Sequence, residues 1–98
     1  MTRPGMARYV MKLEGLIDGP PTEFDGEYLK RYDPGYGPPG ECLLDTVKDP
    51  RHAKKYPDVL KLLEEWNRVD PRQPVRADGL PNKPLTAFSV SAEPYPAL

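Results

Sequence analysis

The clearest helical pattern in the chain lies in the stretch Asp58-Val-Leu-Lys-Leu-Leu-Glu-Glu-Trp-Asn-Arg-Val-Asp70. Its large apolar residues recur every three or four positions, at Val59, Leu62, Leu63, Trp66 and Val69. Residues at this spacing share one face of an α-helix, so the stretch predicts an amphipathic helix that begins after Pro57. The charged residues of the stretch are expected on the other side of this helix, at Lys61, Glu64, Glu65 and Arg68.

Prolines divide the rest of the chain into readable segments. There are 14 prolines among 98 residues, and they leave five proline-free segments, at residues 5–19, 22–33, 40–49, 58–70 and 85–93. Proline fixes φ and lacks a backbone N–H, so it is excluded from helix interiors and from central strands. The five segments are therefore the candidate structural elements, and the Pro/Gly-rich stretches between them are connectors.

Four of these segments predict strands. Residues 8–15 alternate polar and apolar side chains, with Tyr9, Met11 and Leu13 on one face, which is the period of a half-buried strand. Residues 27–33 and 42–47 are short and rich in residues that favour strands. Residues 85–93 alternate most regularly, and Pro94 and Pro96 are expected to end that strand.

A short helical segment of one or two turns is expected at residues 51–56, because Asp49-Pro50 has the character of a helix start. Ala53 and Tyr56 are expected to face inward there.

The order of the elements is β-β-β-α-β, which predicts an α+β fold. Consecutive strands are usually antiparallel neighbours, so we expect a small antiparallel sheet of three to four strands, with one main helix on one face and long Pro/Gly-rich loops. Trp66 and the helix stripe would pack on the inward residues of the sheet, namely Tyr9, Met11, Leu13, Phe88 and Val90. The predicted organisation is an N-terminal arm over residues 1–7, one domain over residues 8–93 and a C-terminal tail over residues 94–98.

Charge and cysteine content limit the environment. The formal net charge is −1, so no global field attracts nucleic acid or anionic membrane. Acidic residues outnumber basic ones by three over residues 18–33, and the reverse holds over residues 48–55. Cys42 is the only cysteine, which excludes an intramolecular disulfide. With no signal-peptide pattern and no long apolar run, the expected location is the cytoplasm, without a membrane partner.

Few residues could support catalysis or metal binding. Cys42 and His52 could in principle form a nucleophile and base, but nothing in their spacing brings them together. We expect Cys42 to be a buried, inert thiol beside a strand, and His52 to lie on the surface. One His and one Cys do not provide a zinc ligand set, and no phosphate-binding loop occurs. No catalytic residue, metal or cofactor is therefore predicted.

The sequence offers more candidate residues for binding a partner than for catalysis or metal binding. Arg51, Lys54 and Lys55 form a candidate basic patch that could attract nucleic acid weakly, although such cations are also common on ordinary surfaces. Tyr36 lies in the stiff Pro/Gly-rich loop at residues 33–40 and is a candidate anchor for a protein partner. Arg72 and Arg76, in the extended segment at residues 70–84, are further candidate protein-binding residues. Both segments could also be simple linkers.

Three stretches together show a resemblance: Gly26-Glu-Tyr-Leu-Lys-Arg-Tyr-Asp-Pro34, Asp49-Pro-Arg-His-Ala-Lys-Lys-Tyr56 with Trp66 downstream, and Asp78-Gly-Leu-Pro-Asn-Lys-Pro-Leu-Thr-Ala-Phe-Ser-Val90. They resemble small proteins without an assigned activity that actinobacterial phages and related prophages encode. The resemblance implies a phage origin and carries over no functional residue. It favours a non-enzymatic accessory protein that binds a host or phage protein; a minor virion component and a weak nucleic-acid-binding protein are the alternatives.

Overall fold

The computed structural model describes residues 8–38 and 41–96, and it has the α+β architecture that the sequence predicts. Its elements in chain order are β1 (Arg8–Leu16), β2 (Tyr28–Asp33), β3 (Leu43–Val47), α1 (Val59–Trp66) and β4 (Phe88–Tyr95). The four strands form one antiparallel sheet in the order β3-β2-β1-β4. The arm predicted at residues 1–7 lies outside the described residues, as do residues 39–40 and 97–98.

The sheet is open at its centre. β1 pairs with β4 over most of its length, but β1 and β2 share the single pair Lys12↔Tyr28. Below that pair, residues 54–56 lie between the two strands. The amide of Lys54 donates to the carbonyl of Leu29 at 3.0 Å, and Tyr56 exchanges two backbone hydrogen bonds with Tyr9, at 2.8 and 2.9 Å. This short segment, called here the insert, completes the hydrogen bonding between β1 and β2.

The helix packs on one face of the sheet. The buried core includes Met11 and Leu13 from β1, Leu62 from α1 and Phe88 from β4, and Trp66 packs against it. The Trp66 indole N–H donates to the carbonyl of Phe88 at 3.1 Å, which ties α1 to the start of β4. The prediction that the helix carrying Trp66 packs on the inward residues of β1 and β4 is therefore confirmed.

The helix is shorter and differently buried than its pattern suggests. Asp58 caps it by accepting from the amide of Lys61 at 2.9 Å, and it ends at Trp66, before Val69. Val59 and Val69 are more than one third exposed, whereas Glu65, expected on the solvent side, is only 6% exposed. The two valines lie at and beyond the helix ends, so the core does not reach them.

Two local predictions, at residues 51–56 and at the start of the final strand, were wrong. Residues 51–56 are not helical beyond a 3₁₀ turn at Pro50–His52, because the chain then extends into the insert, although Ala53 and Tyr56 are buried as expected. The final strand begins at Phe88, after a 3₁₀ turn at Pro84–Ala87.

β4 also continues through Pro94 to Tyr95, two residues into the predicted tail. An edge strand tolerates proline where its nitrogen faces away from the neighbouring strand. None of the helices within residues 8–38 and 41–96 combines the length and the apolarity needed to cross a membrane.

Candidate binding surfaces

The loop that carries Tyr36 leaves β2 and is held close to the body of the protein. Pro34 is fully buried, and the amide of Gly35 donates to the Asp33 carboxylate at 2.9 Å. A Cβ at Gly35 would come within 3.1 Å of the Pro71 ring, so the loop backbone packs tightly on the segment after α1. Tyr36 itself is 59% exposed. The loop therefore presents an aromatic side chain to solvent on a fixed backbone.

Arg72 holds this loop from the other side. Its guanidinium donates to three loop carbonyls: Pro34 at 3.0 Å, Glu41 at 2.6 Å, and Gly37. Asp70 orients the arginine by accepting from its backbone amide at 2.9 Å and from its side chain at 3.4 Å. A planar guanidinium with five N–H donors suits this role, since one side chain can satisfy several carbonyls at once. Arg72 and the Tyr36 loop thus form one unit.

Arg76 lies in a separate turn. The Arg76 amide donates to the carbonyl of Leu80 at 2.7 Å, and Gly79 adopts a positive φ of 86° that closes the turn. The Arg76 side chain is half exposed and pairs with Asp78 across the turn. Val75 and Leu80 flank it and are both more than half exposed. The contacts of Arg76 within the described residues are local to this turn.

The second surface is organised by Glu65. Its carboxylate accepts from the Lys54 ammonium at 2.5 Å, from the Tyr56 hydroxyl at 3.2 Å and from the Arg68 guanidinium at 2.9 Å. Arg68 also donates to the carbonyl of Tyr32 at 2.9 Å. The Glu65 network, formed by Glu65, Lys54, Tyr56 and Arg68, therefore joins α1 to both the insert and β2.

The network fixes the protonation states of its members. Burial by itself raises the pKa of Glu65, but the hydrogen bonds and charges of Lys54 and Arg68 outweigh it, so the pKa lies below its usual value. Burial and the neighbouring Glu65 carboxylate raise the pKa of Tyr56 far above its usual value. At neutral pH the pair is a carboxylate and a neutral phenol. Because the carboxylate oxygens are already occupied by donors, the arrangement is that of a structural ion cluster rather than a free acid or base.

A groove of about 460 Å³ opens over this network. The insert and Pro57 line one side, and α1 with the following Arg68 lines the other; the lining residues are Lys54, Lys55, Tyr56, Pro57, Lys61, Glu64, Glu65 and Arg68. Four of them are cations and two are carboxylates, so the lining carries an excess of two positive charges. The side chains of Lys54, Arg68 and Lys61 are between 44% and 58% exposed.

The remaining sequence candidates have local roles. Arg51 pairs with Asp49 at 2.7 Å on the surface, and this bond lowers the pKa of Asp49 to about 2. Lys55 donates to the carbonyls of Arg51 and Ala53, and its ammonium lies 4.8 Å from the centre of the Tyr95 ring. The predicted basic patch is therefore divided: Lys54 and Lys55 line the groove, while Arg51 lies outside its lining.

Cys42 is exposed, contrary to the expected buried thiol, because it precedes the first residue of β3. Partial burial and the nearby Asp70 carboxylate nevertheless raise the pKa of its thiol, which disfavours the reactive thiolate. His52 is exposed, as predicted, and follows the far end of β3. The two residues therefore lie beyond opposite ends of one strand. In the part of the chain that the structure describes, no group of three or more His, Cys, Asp and Glu side chains could hold a metal ion.

Comparison with known proteins finds no family model that matches the chain, and no curated protein or solved structure with significant similarity to it.

Sequence reasoning identified Lys54 and Lys55 of the groove lining as candidates but missed Glu65, the residue that organises it. The available signal was a pair of acidic residues, Glu64 and Glu65, next to the apolar stripe of α1. Glu65 lies between Leu62 and Trp66 on the helix, at the border of the buried face, so its side chain could be drawn inward if cations met it there. The cation from outside the helix, Lys54, comes from the insert, whose position could not be read from the sequence.

Proposed function

We propose that this chain is a small, non-enzymatic phage accessory protein that acts by binding a host or phage protein. The observation that carries the proposal is the exposed Tyr36 on a loop fixed by Arg72. Tyrosine is enriched among the residues that dominate binding energy at protein interfaces. A loop that is ordered before binding loses less conformational entropy on association, so its exposed aromatic side chain contributes more net affinity.

The resemblance to actinobacterial phage proteins supports the biological setting of the proposal. The proposed location is the cytoplasm of an infected bacterium, with association to the virion as the alternative. The exposed Val75 and Leu80, which flank Arg76 in its turn, provide additional apolar contact area of the kind that protein partners cover.

The test is affinity purification of partners from actinobacterial host cells, infected and uninfected, with the wild-type chain and three variants. We expect the wild type to recover a protein at a fixed stoichiometry, with recovery unaffected by nuclease. Tyr36→Ala should weaken that complex by about 30-fold, the effect of losing a ~2 kcal/mol hot spot, with an unchanged melting temperature. Ile17→Ala is the matched control, because Ile17 is also 59% exposed and follows the end of β1, at the opposite end of the sheet from the Tyr36 loop.

Arg72→Lys tests the contribution of loop order to affinity separately from that of the Tyr36 side chain. An ammonium keeps the charge but cannot satisfy three carbonyls in the plane of a guanidinium, so the loop should loosen and affinity should fall while Tyr36 is intact. Equal recovery by the wild type, Tyr36→Ala and Arg72→Lys would contradict the proposal. Recovery that depends on DNA or RNA would favour a nucleic-acid-binding protein, and recovery only from purified virions would favour a virion component.

A further inference from the structure

The groove over the Glu65 network has the properties of an anion site. Lys54 and Arg68 share a single carboxylate, that of Glu65, so these three groups together carry one positive charge in excess. Lys61 is balanced by Glu64 at 3.5 Å, and Lys55 has only carbonyl oxygens as its hydrogen-bond acceptors. The positive charge is therefore a property of the folded arrangement, because the whole chain has a net charge of −1.

Donor groups in the groove also remain available. Lys54 has three N–H donors and uses one on Glu65, and Arg68 uses one of its two terminal nitrogens, on Glu65 and Tyr32. For the other donors of these two side chains, the described residues provide no acceptor within hydrogen-bond distance. Both side chains are nearly half exposed, and their attachment to the buried carboxylate of Glu65 holds them in place. An incoming carboxylate would thus meet two fixed cations at a small cost in side-chain entropy.

We infer that this groove binds an acidic segment of a protein partner, with a partner carboxylate bridging Lys54 and Arg68. The inference deepens the proposed function and rests on it for the biological partner, but the site is separate from the Tyr36 loop. Lys61 would bind a second carboxylate of the partner and would lose its exposed ion pair with Glu64. Leu60, which is 72% exposed and lies one turn before Glu64 on α1, offers an apolar contact beside the charges.

A short acidic peptide fits this surface better than nucleic acid does. Affinity for nucleic acid depends on many phosphate contacts along a positive track, and here the cations are confined to one groove. Asp58 and Glu64 stand at the start and on the exposed face of α1, where they would repel a continuous phosphate backbone. A peptide can place single carboxylates on the cations and an apolar side chain on Leu60.

The experiment is a calorimetric titration of the full chain, at low salt, with the acetylated and amidated peptide Glu-Leu-Asp-Asp-Leu-Glu. The control ligands are the peptide with Gln and Asn in place of Glu and Asp, and a single-stranded DNA of equal charge. We expect saturable binding of the acidic peptide with a dissociation constant on the order of 0.1–1 mM, and binding at least about tenfold weaker for both controls. No saturable binding of the acidic peptide, or DNA binding of equal strength, would overturn the inference.

Three variants test whether the peptide binds in the groove. Arg68→Lys keeps the charge beside Glu65 but loses the bidentate donors, and Lys61→Glu reverses a rim charge; each should weaken binding about 5- to 10-fold. Glu64→Gln removes the carboxylate that competes for Lys61 and should tighten binding about 2- to 5-fold, a gain that misfolding cannot imitate. Lys30→Gln, at an exposed cation on β2, should leave the affinity unchanged. Unchanged affinity in all three groove variants contradicts the inference.

Tyr36→Ala distinguishes this inference from the proposed function. The variant should bind the acidic peptide as the wild type does, because Tyr36 is not part of the groove lining. A loss of peptide binding in Tyr36→Ala would place the peptide on the Tyr36 loop and overturn the groove assignment. Failure of the peptide to bind any variant would leave the partner-capture result for the Tyr36 loop unaffected.

Discussion

Glu65 shows how a single residue departs from its helical pattern. It follows the exposed Glu64 on α1, yet it is almost completely buried, with donors from Lys54, Tyr56 and Arg68 around its carboxylate. A buried carboxylate is costly unless it is paired and hydrogen-bonded, and here both conditions are met. The residue therefore links three parts of the fold and orients the two cations of the groove.

Glu65→Gln should lower the free energy of unfolding by about 1–3 kcal/mol at neutral pH, because the charged partners lose their carboxylate. The pKa of Glu65 is lowered in the folded state, so its contribution is complete above the unfolded value of 4.5 and is lost as the pH falls through the folded value. The difference between the wild type and Glu65→Gln should thus shrink as the pH falls below about 5. Urea denaturation at a series of pH values measures it.

Glu64→Gln is the control for this prediction, since Glu64 is exposed and makes only a long pair with Lys61. Its effect on stability should stay within about 0.5 kcal/mol at every pH. A wild-type advantage over Glu65→Gln that persists unchanged at about pH 3 would show that the carboxylate charge is not what stabilises the network.

At the scale of elements, the insert is the least expected feature. Its residues follow an Asp-Pro helix-start signature, but only one 3₁₀ turn forms before the chain extends between β1 and β2. Those two strands diverge beyond the pair Lys12↔Tyr28, which leaves backbone groups that need partners. The insert supplies these partners, so satisfying the sheet outweighs the local preference for a longer helical turn.

Amide hydrogen exchange should show that every second backbone amide of the insert is hydrogen-bonded. The amides of Lys54 and Tyr56 donate to Leu29 and Tyr9, while the amide of Lys55 has no acceptor among the described residues. We expect Lys54 and Tyr56 to exchange at least about tenfold more slowly than Lys55, after correction for intrinsic rates. NMR-detected exchange measures the three amides in one experiment, so Lys55 is the internal control. Similar protection at all three positions would indicate a helical segment instead.

At the scale of the whole molecule, one core joins the helix to the sheet. Buried residues from β1, β2, α1 and β4 form a single cluster, and Trp66 both packs on it and donates to the Phe88 carbonyl. A small domain with one core is expected to unfold in a single cooperative transition. Leu62 carries α1 into that core, and Trp66 adds a packing contact and a hydrogen bond to the start of β4.

Trp66→Ala should lower the free energy of unfolding by about 2–4 kcal/mol, a large share of the stability of a domain of this size. Leu60→Ala, on the exposed side of α1, should change it by no more than about 0.5 kcal/mol. Denaturant unfolding followed by circular dichroism measures both, and in the wild type the tryptophan fluorescence transition should coincide. A loss below about 1 kcal/mol for Trp66→Ala, or two separate wild-type transitions, would contradict a single core coupled through Trp66.

The sequence by itself determined the main strands and the helix, their order and most of the inward residues, with exceptions such as Val10, which is buried on the opposite face of β1, and Glu65 on α1. Those properties follow from local periodicity, as with Met11 and Leu13 on β1, and from prolines that interrupt regular structure. The exposure of Tyr36 could also be predicted, because the Pro/Gly-rich loop around it does not form a regular element.

Only the tertiary structure decided where the connectors lie and which charges meet. The insert between β1 and β2, the clamp of Arg72 on the Tyr36 loop, and the burial of Glu65 all join residues that are distant in sequence. Local patterns carry no information about such pairings, since a cation or a carbonyl looks the same in sequence whether its partner is water or another segment. The burial of Glu65 is decided by the two cations that surround it after the chain has folded.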